Sequence, residues 1–127
     1  MEKTKKKILI AEDEPATMRA MADSIKAAGF EVIKATDGEQ AVEFALRDHP
    51  DCILMDIRMP KMDGLTALKR IRKNEWGKDV CITILTNISD SAKVDEALKD
   101  GAFEYLIKAD WEVDKIVKKL KTRLGIE

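Results

Sequence analysis

The fold is decided by the stretch ILMDIRMPKMDG, residues 53–64. Its apolar start, together with Cys52, predicts a strand that is buried on both faces and ends on the carboxylate of Asp56. Pro60 and Gly64 then interrupt the backbone pattern, and a helical pattern begins directly afterwards. A buried strand followed by a helix is typical of a parallel α/β sheet. The meaning of Asp56 therefore depends on which residues end the other strands.

The same alternation of strand and helix occurs five times along the chain. The predicted strands are apolar on consecutive residues and span 7–11, 30–35, 52–55, 80–85 and 103–107. Apolar residues recur at helical spacing between and after them, for example Met18, Met21, Ala22 and Ile25 in the first helix and Val94, Ala97 and Leu98 in the fourth. This pattern predicts a flavodoxin-like, doubly wound α/β domain, with five parallel strands in the order 2-1-3-4-5 and helices on both faces.

Length and composition fit a single domain over residues 1–127, whose basic residues 1–5 we expect to be flexible. Acidic and basic residues nearly balance, 24 against 23, so net charge indicates no nucleic-acid partner. No apolar segment reaches the ~20 residues needed to cross a bilayer, and the acids after Ala11 exclude a signal peptide. Cys52 and Cys81 lie in apolar strands without metal-ligand spacing, which predicts reduced core thiols in a cytoplasmic protein.

Three carboxylates are expected to meet at one edge of the sheet. Glu12 and Asp13 follow the first strand and Asp56 follows the third, and these two strands flank the switch point where ligands bind. Like charges this close destabilise the fold unless a cation lies among them, and such oxygen ligands suit Mg²⁺. No glycine-rich loop follows the first strand, so the cluster argues against a flavin or nucleotide phosphate.

Two further polar residues end the remaining strands. Thr86 follows the fourth strand with a hydroxyl, and Lys108 follows the fifth with a mobile ammonium group. Together with Asp56 and a divalent metal, these groups form a constellation for phosphoryl transfer. In it Asp56 is the nucleophile and becomes an aspartyl phosphate.

These features resemble the receiver domain of response regulators in two-component signalling, over essentially the whole chain. The matching residues are Glu12-Asp13, Asp56 with Met59-Pro60 and Asp63-Gly64, Thr86, and Tyr105 ahead of Lys108. The resemblance implies that Asp56 is the phosphoacceptor. It also implies that Asp13, Asp56 and the backbone carbonyl of Arg58 bind Mg²⁺ directly, while Glu12 acts through water.

The resemblance implies roles for the remaining site residues and for partners. Thr86 would move toward the phosphoryl group, Tyr105 would swing inward with it, and Lys108 would contact the site. The phosphoryl group would come from a histidine kinase or phosphotransfer protein. The domain would catalyse its own phosphorylation and slow dephosphorylation rather than turn over a separate substrate.

A downstream protein would read the surface of the fourth helix, fifth strand and fifth helix. The protein would be a standalone or excised receiver domain, as a monomer or as a phosphorylation-dependent homodimer. No direct contact with nucleic acid or a membrane is expected.

The chain departs from the family pattern beside two site residues. Ala109 follows Lys108 where the family usually has a cis proline, and Asn87 follows Thr86 where the family favours a small residue. Since a non-proline cis bond costs about 3–4 kcal/mol, we predict a trans Lys108–Ala109 bond, or a visibly strained one. Asn87 and Arg58 either narrow access to the phosphoryl group or are tolerated surface variation.

Two alternative functions follow from these departures and from the position of Asp56. The first is a degenerate, phosphorylation-independent interaction module on the same fold, which the missing proline supports. The second is a metal-dependent phosphatase of the haloacid dehalogenase type. It is disfavoured, because such enzymes need a second acid two residues after the nucleophile, where this chain has Arg58.

Overall fold

The computed structural model describes residues 5–86, 91–102, 104–107 and 113–125, without the side chains of Thr86, Ser91, Ile107 and Val113. The strands are β1 (Lys7–Ala11), β2 (Glu31–Ala35), β3 (Cys52–Asp56), β4 (Cys81–Thr86) and β5 (Glu104–Ile107). The helices are α1 (Pro15–Ala27), α2 (Gly38–Asp48), α3 (Gly64–Lys73), α4 (Ser91–Lys99) and α5 (Val113–Arg123), and a short 3-10 turn covers Trp76–Lys78. The predicted flexible start lies outside the described residues, except for Lys5.

The five strands form one parallel sheet in the order β2-β1-β3-β4-β5, which confirms the predicted fold. The ends of two strands differ from the prediction. Asp56 is the last residue of β3 and is in register with Leu85, and Thr86 is the last residue of β4 and is in register with Ile107. Both polar residues therefore end their strands rather than follow them, because the ladder continues one residue beyond the apolar run.

The sheet is covered on both faces, and its central strands contribute to two separate cores. On one face, Leu9 and Ile53 pack with residues of α2, α3 and α4. On the other face, Ile8 and Leu54 pack with residues of α1 and α5. Alternate residues of a strand point to opposite faces, so consecutive apolar residues are needed where both faces are buried.

The start of α2 is capped by a side chain, and one helix face corrects a detail of the prediction. The Asp37 side chain accepts a hydrogen bond from Gln40 N at 2.8 Å and caps α2, whose first residue is Gly38. Leu98 does not belong to the buried stripe of α4, because its side chain is 40% exposed. Among helices in the described part of the chain, none has the length and apolar character that a membrane crossing requires.

Leu68 and Leu98 provide a matched test of this packing, because one is fully buried in α3 and the other is exposed on α4. Leu68→Ala should lower the free energy of unfolding by about 2–5 kcal/mol through lost burial and a cavity. Leu98→Ala should change it by only about 0.5 kcal/mol. Urea unfolding followed by circular dichroism measures both values, and equal losses would contradict the assignment of Leu68 as buried and Leu98 as exposed.

Candidate metal centre

The pairing of β1 with β3 brings three carboxylates together. Ala11, the last residue of β1, is in register with Met55, so Glu12 and Asp56 leave neighbouring strands at the same edge of the sheet. Asp13 follows directly. One carboxylate oxygen from each of the three residues lies within 4.8 Å of the others. The predicted cluster of Glu12, Asp13 and Asp56 is therefore present.

The cluster is largely removed from water, although one member faces solvent. Glu12 is 1% exposed and Asp56 is 7% exposed, while Asp13 is exposed. A buried carboxylate is costly unless it is hydrogen-bonded or paired. A local hydrogen bond offsets part of this cost, since Glu12 Oε2 accepts a hydrogen bond from the backbone N of Glu14 at 3.1 Å. Glu12 N also donates to Ala35 O of β2 at 3.0 Å, which holds the chain in place after β1.

The donor atoms suit a small, hard divalent cation. Magnesium binds oxygen ligands at 2.0–2.1 Å, so two ligands on opposite sides of one ion are about 4.2 Å apart. Donor atoms within 4.8 Å of one another can reach that spacing through small side-chain rotations. Because Asp13 lies at the surface, the cluster is open to solvent on that side. The arrangement can therefore hold a metal beside Asp56.

A glycine allows the loop between β3 and α3 to pack closely against the site. Gly64 N donates to Ile57 O at 2.7 Å, and a Cβ at residue 64 would overlap the carbonyl oxygen of Asp56. Gly64 was predicted as a break in the backbone pattern and as part of the matching Asp63-Gly64 pair. In the structure its side-chain-free α-carbon lets the start of α3 pack directly on the residue that ends β3.

A second close approach ties this loop to α2, and the sequence pattern did not indicate it. A Cβ on Gly38 would overlap the carbonyl oxygen of Met62. Lys61 Nζ lies 3.8 Å from Asp37 Oδ2, and Lys61 has a left-handed φ of 67°. The only signal in the sequence is that an Asp-Gly pair lies at the start of both α2 and α3. These contacts fix the loop that carries the chain away from Asp56.

The remaining predicted site residues are only partly described. Arg58 lies two residues beyond Asp56 in an exposed position, and the metal-binding role of its carbonyl stays a prediction. The backbone of Thr86 ends β4 next to β3, so it lies at the same edge of the sheet as the acids. Tyr105 in β5 is 43% exposed and in register with Ile84, and its inward swing stays a prediction.

Asn87, Lys108 and Ala109, including the Lys108–Ala109 bond, lie outside the described residues, and the predictions for them stay predictions. The structure thus brings three predicted side chains together and places the backbone of a fourth residue beside them.

Comparison with known proteins places this site in a family. The model of the response regulator receiver domain matches residues 8–121. The polar-differentiation response regulator DivK of Brucella ovis is 30% identical over 120 residues, which cover 94% of this chain and 97% of that protein. The probable transcriptional regulator ycf27 of Porphyridium aerugineum is 36% identical over 104 residues, which cover 82% of this chain and 42% of that protein.

A solved structure agrees in fold over nearly the same length. It is the receiver domain of sensor histidine kinase PA1611 from Pseudomonas aeruginosa PAO1, with a magnesium ion coordinated in its active site cleft. It superposes with a TM-score of 0.87 at 32% identity and covers 96% of this chain and 99% of that domain. The chain spans less than half the length of several curated relatives that it matches, ycf27 among them.

The tight contact at residue 64 can be tested by adding one methyl group. Gly64→Ala should lower the free energy of unfolding by about 1–3 kcal/mol, because the new Cβ must displace the Asp56 carbonyl or the start of α3. Thr66→Ala, an exposed change in the same helical turn, should alter it by only about 0.5 kcal/mol. Urea denaturation compares the two variants. A Gly64→Ala protein as stable as the native one would mean that the close approach is not needed.

Proposed function

The chain belongs to the response regulator receiver domain family, and we propose that it is a signalling switch controlled by phosphorylation of Asp56. The phosphoryl group comes from a phosphohistidine on a histidine kinase or phosphotransfer protein, in a reaction that depends on Mg²⁺. The observation that carries this proposal is the cluster of Glu12, Asp13 and Asp56, whose oxygens lie within 4.8 Å of one another at the ends of β1 and β3. A receiver domain of similar fold has magnesium in its cleft, which supports the same ion here.

Asp56 acts as the nucleophile. One of its carboxylate oxygens attacks the phosphorus atom, the phosphorus–nitrogen bond of the protonated phosphoimidazole breaks, and neutral imidazole leaves with the electron pair. Asp13 and Asp56, with the carbonyl of Arg58, would hold the metal directly, and Glu12 would act through water. A bound Mg²⁺ would neutralise charge on the phosphoryl oxygens. Lys108 adds a second positive charge, and slow hydrolysis returns the aspartate. The domain thus modifies itself and turns over no separate substrate.

Phosphorylation biases an equilibrium between two conformations, which partners read. Thr86 and Tyr105 couple the site to the surface of α4, β5 and α5, which we propose as the partner-binding face. The exposed side chains of Leu98 and Tyr105 support this assignment, since each leaves a large hydrophobic group about 40% open to solvent. We further propose a cytoplasmic location, because the two cysteines are free thiols and such thiols persist in reducing compartments.

Phosphorylation can be tested with a small-molecule donor. Incubation with acetyl phosphate and Mg²⁺ should add one phosphoryl group to the native protein and none to Asp56→Asn, because the amide removes the nucleophile. Asp23→Asn, which changes an exposed acid on α1, should be modified as the native protein is. Intact mass spectrometry distinguishes these species, and omission of Mg²⁺ should abolish the adduct.

Two results would count against phosphorylation at Asp56. An adduct that persists in Asp56→Asn would place the chemistry on another residue. A native protein that folds and binds Mg²⁺ but gains no phosphoryl group would favour the alternative, a phosphorylation-independent interaction module.

Metal binding can be measured without any phosphoryl donor. Asp13→Asn should weaken Mg²⁺ binding in isothermal titration calorimetry by about tenfold or more, because it removes a charged ligand from the cluster. Asp95→Asn, an exposed acid on α4, is the control and should bind as the native protein does. Equal affinity of native and Asp13→Asn proteins would exclude this cluster as the Mg²⁺ site.

A further inference from the structure

Two thiols lie side by side at the amino ends of β3 and β4, at the opposite end of these strands from the metal centre. Cys52 begins β3 and Cys81 begins β4, and the two residues are direct partners in the parallel ladder. Both are free, both are buried against the core formed with α1 and α5, and their sulfur atoms are 2.6 Å apart. The receiver chemistry proposed above uses neither of them.

The backbone already holds these cysteines at disulfide spacing. Neighbouring strands lie about 4.8 Å apart, which falls within the 4.4–6.8 Å range of Cα separations found across disulfides. A disulfide bond is about 2.05 Å long, so the sulfurs need to approach by only about half an ångström. Bond formation therefore needs side-chain rotation and no change in strand register.

One of the two thiols is slightly exposed and is activated. Cys81 retains 7% exposure and lies beside a cleft lined by side chains that include Thr83, Glu104 and Arg123. The hydrogen bond from the Cys52 thiol, followed by the nearby Arg123 guanidinium, lowers the pKa of Cys81 below its usual range. The same hydrogen bond and burial raise the pKa of Cys52. Cys81 is thus the group that carries thiolate character, and the thiolate is the reactive form.

We propose that Cys52 and Cys81 form a redox-active dithiol, which a hydroperoxide oxidises to an intramolecular disulfide. The Cys81 thiolate attacks the peroxide oxygen, the O–O bond breaks, and Cys81 becomes a sulfenic acid while hydroxide leaves. The sulfur of Cys52 then attacks the Cys81 sulfur, the S–O bond breaks, and water leaves with the proton from Cys52. Two thiols and one hydrogen peroxide give one disulfide and two waters, and a thiol reductant reverses the change.

The disulfide would covalently join β3 and β4 at their first residues. The last residues of these two strands are Asp56 and Thr86, at the opposite edge of the sheet. The dithiol itself does not rest on phosphorylation, because it depends only on strand register and on the groups around the two sulfurs.

The test uses the full folded chain, reduced, freed of reductant and treated with hydrogen peroxide. The protein is then alkylated with iodoacetamide under denaturing conditions, and its intact mass is measured. Peroxide should lower the number of alkylated thiols from two to none, and the protein should lose two hydrogen atoms. Dithiothreitol should restore both thiols. Peptide mapping should join the peptide of Cys52 to that of Cys81. Arg123→Gln should slow the loss of thiols several-fold, while Lys118→Gln, an exposed charge change on α5, should not.

Single-cysteine variants identify the order of events. In Cys52→Ala, peroxide should convert Cys81 to a sulfenic acid that dimedone traps, whereas Cys52 in Cys81→Ala should react several-fold more slowly. If either variant fails to fold, peptide mapping of the native protein still decides the point. Retention of two alkylatable thiols, separate oxygen adducts on the two cysteines, disulfide-linked dimers, or a disulfide formed only in urea would each overturn the proposal.

Discussion

The parallel pairing of β1 with β3 places the end of β1 beside the end of β3, and the candidate site depends on that placement. Because Ala11 is in register with Met55, the acids that follow, Glu12, Asp13 and Asp56, all lie at the same edge of the sheet. The pairing is held by burial on both faces, since the apolar residues of these strands alternate between two cores. A slip of one residue would move each side chain to the wrong core and separate the acids. Packing in the interior thus maintains the geometry at the edge.

The site brings negatively charged carboxylates together in a largely buried position. Two nearly buried carboxylates lie beside a third that faces solvent, an arrangement that a divalent cation stabilises through charge neutralisation. The surrounding backbone adds hydrogen bonds and leaves little space for movement, because glycines at positions 38 and 64 allow the segments around them to touch. The stability of the loop and the placement of Asp56 are consequently linked, since the same contacts serve both.

The two ends of β3 and β4 carry different functional groups. At the carboxyl ends, β3 and β4 present Asp56 and Thr86, and at the amino ends they present two adjacent thiols. A rigid sheet keeps each pair at fixed spacing without contact between them. Hydrogen bonding and a nearby guanidinium make the thiols unequal in pKa, just as burial and exposure make the carboxylates unequal in their access to solvent.

The amino-acid sequence by itself determined the fold class, because consecutive apolar residues in strands and helical spacing between them are compatible with few architectures. It also predicted the meeting of Glu12, Asp13 and Asp56, since the predicted strand order places the carboxyl ends of the first and third strands side by side. Only the tertiary structure decided that Cys52 lies opposite Cys81, that Leu98 is exposed, and that Gly64 touches the Asp56 carbonyl. These features depend on residue-level register and on distances between segments far apart in the chain, which local hydrophobic pattern does not encode.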